Sequence, residues 1–388
     1  MQRVYLDHAA TTPLDPEVFL AMKPYFSDEF GNPSSIHETG HRAYLALTRA
    51  REKVARALSS RPNEIIFTSG GTESDNLALK GAAEAHGFKG HIITTAVEHH
   101  AILHTARYLE TRGVAVTYVP ADEKGRVEPR SIIDALRDDT FLVSVMYANN
   151  EIGTIQPIDE IGKELQRRKV LFHTDAVQAA GSLSLDVRSL HVDMLSLSAH
   201  KFYGPKGIGA LYLKNGVVIE PQQLGGGQEL KRRASTENVP GIVGLAAAIE
   251  AAELKRKKES ERLIALRDHL IRAVEERVEG SLLTGDRVDR LPNNVSFCFP
   301  GIEGEALVMR LSEQGFDTSS GSACTSGNLD PSHVLQAIGL DRDVSLGSLR
   351  VSLGTSTTEK DMDRFVGVLS REVAKLKTMG NVIDVACR

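Results

Sequence analysis

Residues 193 to 210, DMLSLSAHKFYGPKGIGA, set a lysine between two apolar runs. Met194, Leu195 and Leu197 follow the pattern of a strand entering a core. The run stops at Ser198, His200 and Lys201, and Gly204, Pro205, Lys206, Gly207 and Gly209 carry the chain into a second apolar run, Ala210 to Leu213. A lysine so placed has two readings. It is a surface lysine at a strand end, as most lysines are, or an amine desolvated enough to act as a nucleophile and form a Schiff base. The stretch alone leaves both open.

Other residues stand at the same kind of junction. Thr72 follows Gly70-Gly71 where a helix should start. Free backbone N–H groups and a hydroxyl suit a phosphate there, although a capped helix start looks the same. His99 opens another helix, where its ring either stacks on a planar ligand or is simply half-buried and hydrogen-bonded. His100 and His104 are spaced i, i+4, but no third metal ligand accompanies them, and a solvated face is the expectation. Asp175 directly follows a buried strand. A carboxylate there needs a partner, and a protonated ring nitrogen is one that fits. Gln178 lies one turn further on, and Asn150 ends another strand. Together these residues supply a phosphate cradle, a ring, an acid for a pyridinium nitrogen and a lysine. Pyridoxal phosphate demands that set, because it is an electron sink only while its ring nitrogen stays protonated.

The elements that position them alternate. Strands are expected at 64–68, 91–96, 114–119, 141–147 and 170–174. Helices are expected at 16–26, 37–58, 73–85, from His99 through Leu109, at 130–137 and at 158–168, with Asp15 capping and Pro16 opening the first of these. Two more strands come from the lysine stretch. The pattern implies an α/β domain with a mainly parallel sheet, its chemistry at the strand ends. From Leu245 to Val278 there is no Gly or Pro, so a long helix should connect to a smaller α+β part, with strands at 294–299 and 350–353 and helices at 305–313 and 359–376.

The chain has 388 residues, 41% of them hydrophobic, which favours two cores over one. Net charge is −5, without a basic patch or aromatic ladder, so nucleic acid is not an expected partner. The opening MQRVYLDHAATTP lacks the apolar core of a signal peptide, and no apolar run is long enough to cross a bilayer, so a cytoplasmic home without membrane contact is expected. Three widely spaced cysteines, Cys298, Cys324 and Cys387, with no CxxC, indicate neither a disulfide framework nor a zinc site. Cys298, inside VSFCF, reads as a core thiol, and Cys387 as part of a frayed end. Cys324, in SSGSACTSGN, sits in a small, polar stretch that should be an exposed loop.

The segments SGGTESDNLA, VEHHAILH, NNEIGTIQPI, HTDAVQAAG, SLSAHKFYGPKGIGALY and SGSACTSG, in this order, resemble those of cysteine desulfurases of the NifS/IscS type, which are class V aminotransferase-like enzymes of pyridoxal-phosphate fold type I. The likeness runs from LDHAATTP to RVSLGTSTT, nearly the whole chain. It implies a large domain over 13–255 with a mainly parallel seven-stranded sheet, and a small α+β domain made of 1–12 and 256–388 that carries the cysteine loop. It implies that Lys201 forms the Schiff base, His99 stacks on the ring, Asp175 pairs with the ring nitrogen and Gln178 reaches the phenolic oxygen. Gly71, Thr72, Ser198 and His200 would hold the phosphate, and Thr236 the phosphate of a partner subunit, so a homodimer with shared sites is implied. Asn150 and Arg350 would receive the substrate carboxylate, and Cys324 would be the nucleophile that takes sulfur from L-cysteine, leaving L-alanine and a persulfide for an iron–sulfur scaffold or another acceptor protein. One departure stands out. The family carries Arg-x-Gly-Thr where this chain has Arg233-Ala234-Ser235-Thr236. The competing readings are a selenocysteine lyase, a fold-type I aminotransferase, which needs no thiol, and a sulfur-carrier scaffold on a decayed fold, which should have lost some of Lys201, Asp175 and His99.

Overall fold

The computed structural model describes residues 3–321 and 331–386, with side chains as far as residue 379. Cys324 and Cys387 lie outside the described residues. The chain opens with strand β1 (Val4–Tyr5) and helices α1 (Pro16–Met22), α2 (Pro24–Ser27) and α3 (Glu38–Ala57). Then come β2 (Ile65–Thr68), α4 (Gly71–Ala85), β3 (His91–Thr95), α5 (His100–Thr111), β4 (Ala115–Val119), α6 (Pro129–Asp134), β5 (Thr140–Ser144), α7 (Ile158–Arg168), β6 (Leu171–Asp175), β7 (Met194–Ser198) and β8 (Gly209–Leu213). The 39-residue helix α8 (Val239–Arg277) leads to β9 (Leu282–Leu283), β10 (Asn294–Cys298), α9 (Gly304–Glu313), β11 (Phe316–Asp317), α10 (His333–Ala337), α11 (Arg342–Leu346), β12 (Ser348–Ser352) and α12 (Glu359–Ala386).

Seven strands form one sheet in the order β2-β8-β7-β6-β5-β3-β4. β8 runs antiparallel to both β7 and β2, and the other pairs are parallel. The period of two along each strand sends alternate residues to two separate cores. Ile65, Phe67, Ile93, Val143, Leu195 and Leu197 pack with α3, α7 and the first half of α8. Ile66, Ile92, Leu142, Met194 and Leu211 pack with α4 and α5. Helices on both faces explain why these strands read as continuous apolar runs rather than as clean alternations. A third core gathers around the antiparallel sheet β12-β10-β9 and the parallel pair β1-β11, with Leu6, Phe297, Phe316, Leu349 and Phe365 in it. α8 joins the two regions. Ile242 to Ile249 belong to the large core and Leu263 to Val274 to the small one.

Several elements depart from expectation for local reasons. The helix expected over 16–26 is broken in two, because Pro24 cannot donate the hydrogen bond that would continue α1. Its start is as read: the Asp15 side chain accepts from the Glu17 N–H, and Pro16 opens the helix. α8 starts at Val239, before the expected Leu245, since Asn238 caps it through the Gly241 N–H and Pro240 sits in its tolerant first turn. β5 ends at Ser144, although the Val145 and Tyr147 N–H groups still reach β6 carbonyls. The short elements β9, β11, α10 and α11 carry too little periodicity to be read from sequence. Among the described residues no helix is long and apolar enough to cross a membrane.

Candidate active site

β6 and β7 end side by side, with Asp175 opposite Ser196 and Ser198 closing β7. One tight turn, Ala199–Lys201, then brings Lys201 over the sheet edge. The start of α4 lies next to it, because β8 pairs with β7 and packs on the turn before α4. A Cβ on Gly209 would sit 2.5 Å from the Leu197 carbonyl oxygen and 2.6 Å from Gly70 Cα. A Cβ on Gly71 would come within 2.7 Å of Val177. Two glycines therefore let the N-terminus of α4 sit against the ends of β7 and β6, with its first N–H groups free to face an anion.

A cavity of about 300 Å³ opens at this junction. Of the residues singled out in the sequence, Lys201, His99, Gly71, Thr72, Asn150, Asp175, Gln178, Ser198, His200 and Arg350 all line it. Thr236 does not. It lines a neighbouring cavity of about 230 Å³ with Ser69 and Arg233. Cys324 is outside the described residues, but Gly321, three residues before it, is part of the wall. His104 is exposed, as expected, whereas His100 is half-buried. Its ring lies 4.6 Å from that of His333 and 4.9 Å from that of His104, and burial first, then the neighbouring imidazoles, lower its pKa to about 4. A third imidazole is thus present, yet among the described residues no group of three or more His, Cys, Asp or Glu is arranged to hold a metal.

Lys201 Nζ donates to the carbonyl oxygens of Ala9 (2.6 Å) and Ala10 (2.7 Å). Gln178 Nε2 donates to the same Ala9 oxygen at 2.9 Å. The N-terminal segment is stitched to the lysine turn by Thr12, whose N–H and hydroxyl both donate to the His200 carbonyl, and by a 3.1 Å contact between His200 Nδ1 and the Thr11 hydroxyl. Asp175 accepts from the Val177 N–H at 2.9 Å. Burial raises its pKa to about 6, against the lowering pull of that N–H and of Lys201. His99 caps α5, its Nδ1 accepting from the Ala101 N–H at 3.1 Å, so its proton resides on Nε2. Burial, then the Lys201 charge, lowers its pKa to about 4. His200 is lowered to about 4 by burial and by the charges of Lys201 and Lys206.

Arg350, on β12, reaches across from the small core. Its Nη1 donates to the Asn150 carbonyl at 3.0 Å and its Nη2 to Asp7 at 2.8 Å. Its buried Nε has no hydrogen-bond partner among the described residues. A fixed guanidinium with a donor to spare, beside Asn150, suits a carboxylate. Asp175 with an acceptor oxygen towards the cavity, the glycine-dependent start of α4, and the Ser198 and His200 side chains suit a ring bearing a protonated nitrogen and a phosphate. Cys298 is fully buried in a separate apolar cluster with Met146, Ile152 and Val334, with its thiol pushed up to about 12 by that burial. Sequence reading missed the Ala9 and Ala10 carbonyls, the Asp7 partner of Arg350, and two buried acids, Asp75 and Glu98. Asp7 falls in LDHAATTP and the two acids in SGGTESDNLA and VEHHAILH, so the signal was present as motif without a role attached.

The chain is similar to known proteins over nearly its whole length. Residues 4–365 match the family model "Aminotransferase class-V". The "Cysteine desulfurase IscS" of Dictyoglomus turgidum is 52% identical over 379 residues, covering 97% of this chain and 96% of that protein. The protein of the same name from Clostridium botulinum is 53% identical over 381 residues, covering 97% and 96%. A solved "NifS-like protein" superposes with a TM-score of 0.91 at 40% identity, covering 97% of this chain and all of that one. "SspA in complex with cysteine" superposes with a TM-score of 0.79 at 38% identity, covering 90% and 98%. The chain belongs to the class-V aminotransferase family, among the cysteine desulfurases of the NifS/IscS type.

Proposed function

We propose that this protein removes the sulfur of L-cysteine as a persulfide on Cys324 and releases L-alanine, with Lys201, Asp175, His99 and Arg350 as the working residues of a pyridoxal phosphate site. It is an enzyme, a cysteine desulfurase. The observation that carries it is the single cavity in which a lysine, a buried carboxylate, a neutral imidazole, a helix N-terminus and an unsatisfied guanidinium converge. When bound, pyridoxal phosphate supplies a sink for the electron pair left as a proton leaves the substrate's α-carbon.

Gly71, Thr72, Ser198 and His200 would hold the phosphate, and Lys206, which lines an adjoining pocket together with these four residues, adds positive charge. Lys201 would hold the aldehyde carbon through Nζ, Asp175 the ring nitrogen, Gln178 the phenolic oxygen and His99 the ring face. Arg350 and Asn150 receive the carboxylate of L-cysteine, which fixes the α-carbon relative to Lys201. The Lys201 amine, when it is not engaged by the cofactor, would take the α-proton and later return one to carbon. His99, neutral with its proton on Nε2, is suited to donate a proton, not to take one at that atom. The Cys324 thiolate would attack the substrate sulfur, the carbon–sulfur bond breaking with its electron pair left on the β-carbon, which takes up a proton to complete the methyl group of alanine, while the sulfur remains as Cys324–S–SH. The persulfide then passes to an acceptor protein, an iron–sulfur scaffold or a thiolation enzyme, in the cytoplasm.

A homodimer fits two observations. Phe19, Leu20, Phe26, Phe30, Ile36 and Tyr44 are exposed on the N-terminal helices and the connection between them, apolar side chains that a partner subunit would cover. Thr236 does not line the cavity of its own chain, as expected for a residue that serves a partner's phosphate. The reading is tested with two variants. Cys324→Ala should keep the cofactor's visible absorbance but produce neither alanine nor sulfide from cysteine, and full turnover by it would sink the assignment. Lys201→Ala should lose that absorbance, and an unchanged spectrum would remove Lys201 from its role.

A further inference from the structure

Three buried carboxyl groups, Asp75, Glu98 and Asp175, act electrostatically on one another at the cavity, and only Asp175 has been given a part. Asp75, on the third turn-forming position after Thr72 in α4, lines the same cavity and is 1% exposed. Its Oδ1 is shut off from water and has no hydrogen-bond partner among the described residues. Glu98, just before His99, is fully buried. Its Oε1 accepts from the Thr95 hydroxyl and the Met146 N–H, both at 2.8 Å, and its Oε2 has no partner among the described residues.

The charges facing this cluster cannot balance three anions. Lys201 is the cation that acts on Asp175. Arg350, the other cation lining the cavity, is engaged by Asp7. His173, on β6, lies 3.7 Å from Asp75 Oδ1 but is neutral. Both of its ring nitrogens bind hydroxyls, Ser144 at 2.9 Å and Ser196 at 3.0 Å, and burial lowers its pKa to about 3. His99 is neutral as well. In a site closed to water, like charges sharing one cation do not all ionise. Asp175 is the member best able to carry the charge, because it has both the Val177 N–H and Lys201. Asp75 is held well above the usual carboxylate range by burial and then by Asp175, against a hydrogen-bonding contribution from Ser196. Glu98 is pushed up to about 8, by burial first and with Asp175 adding to the rise, against the Met146 N–H and the Thr95 hydroxyl.

We propose that Asp75 is a positioning residue for the cofactor: it stays a neutral carboxylic acid beside Asp175, so that the ring nitrogen meets a site bearing one negative charge, on Asp175. This rests on the reading of Asp175 as the partner of the ring nitrogen. A neutral acid differs from an ionised aspartate in not repelling Asp175. It differs from an apolar side chain in offering a proton to hydrogen-bond an anion nearby.

Two measurements on the full-length protein test it. Infrared titration of cofactor-free protein carrying side-chain ¹³C-aspartate should show an aspartic acid carbonyl band at neutral pH. The band should vanish in Asp75→Asn. In Asp175→Asn it should persist but titrate away at lower pH, since the charge that repels a second carboxylate is gone. A wild-type spectrum without the band, or a band unaltered in Asp75→Asn, overturns the proposal. In the second measurement, pyridoxal phosphate is titrated into the cofactor-free protein. Asp75→Asn, whose amide is neutral and can still donate, should bind within about threefold of wild type, while Asp75→Ala should bind about tenfold more weakly. Equal affinity for wild type and Asp75→Ala removes the positioning role. If wild type itself fails to bind pyridoxal phosphate, the cofactor reading falls along with that role. If binding is intact but the acid band is missing, the proposal alone falls.

Discussion

His99 uses its two ring nitrogens for different ends. Nδ1 accepts the Ala101 N–H and starts α5, while Nε2 keeps the proton at the cavity. This separates structure from chemistry in a pair of substitutions. His99→Ala removes both cap and ring and should cost about 1 kcal/mol of stability. His99→Asn restores a good capping side chain and should melt close to wild type. Both should lose at least ~100-fold in kcat/KM for cysteine, the scale of a missing proton-transfer group. Thermal melts and steady-state kinetics on the two variants check this, and an active His99→Asn enzyme would reduce His99 to a cap. The residue scale is also where the sequence was least able to speak for itself. Lys201, Thr72 and His99 each had an ordinary reading, since a strand-end lysine, a helix-start threonine and a half-buried histidine are common. Only their convergence from three separate segments makes a site, and convergence is a property of the fold.

The element that departs most from ordinary backbone is the connection between β8 and α8. Glu229, Leu230, Lys231 and Ser235 all have positive φ there, 45°, 57°, 65° and 101°. Buried contacts hold the loop in place. Glu229 accepts the Phe67 N–H at 2.9 Å, on the outer side of the edge strand β2, and its carboxylate receives the Arg51 guanidinium as a fork at 2.6 and 2.9 Å. Covering an edge strand in this way removes the exposed N–H that would otherwise invite pairing. Ser235 is the position where the family carries glycine, and its φ is the physical reason that glycine belongs there. Ser235→Gly should therefore stabilise the protein by about 1 kcal/mol, read as a higher denaturant midpoint at unchanged slope. A lower midpoint would mean that the serine side chain itself anchors the loop. The long strands and helices were legible because their apolar periodicity is strong. This loop was not, because nothing in GGGQELKRRAST announces that a glutamate will fold back under a strand.

At the scale of the whole molecule, the site lies where two cores meet. Asp7, Ala9 and Ala10 arrive from the N-terminus and Arg350 from β12, and these close over the strand ends of the large sheet. The order of the seven strands was not legible, because side-chain pattern along a strand does not say which strand lies beside it. The closed junction has a consequence for the cofactor-free protein as pH changes. His99, His100, His173 and His200 have pKa values lowered from 6.5 to between about 3 and about 4, with burial the first cause. The folded state binds fewer protons there than the unfolded chain, so their effect makes stability rise with pH up to about 6.5 and adds nothing above it. Glu98 behaves in the opposite sense. Its pKa is raised from 4.5 to about 8, so the folded state retains a proton that the unfolded chain has released. The stability it contributes is fully present below about 4.5 and is lost as pH rises through about 8. Between pH ~6.5 and ~8 the buried acids act without opposition from the histidines, and stability should fall by up to about 1.4 kcal/mol per pH unit for each such group. Urea unfolding at a series of pH values checks the slope. Glu98→Gln, which cannot ionise and keeps an oxygen for the Met146 N–H, should flatten it, and an equally steep decline in that variant would mean that Glu98 is already ionised in the folded protein at neutral pH.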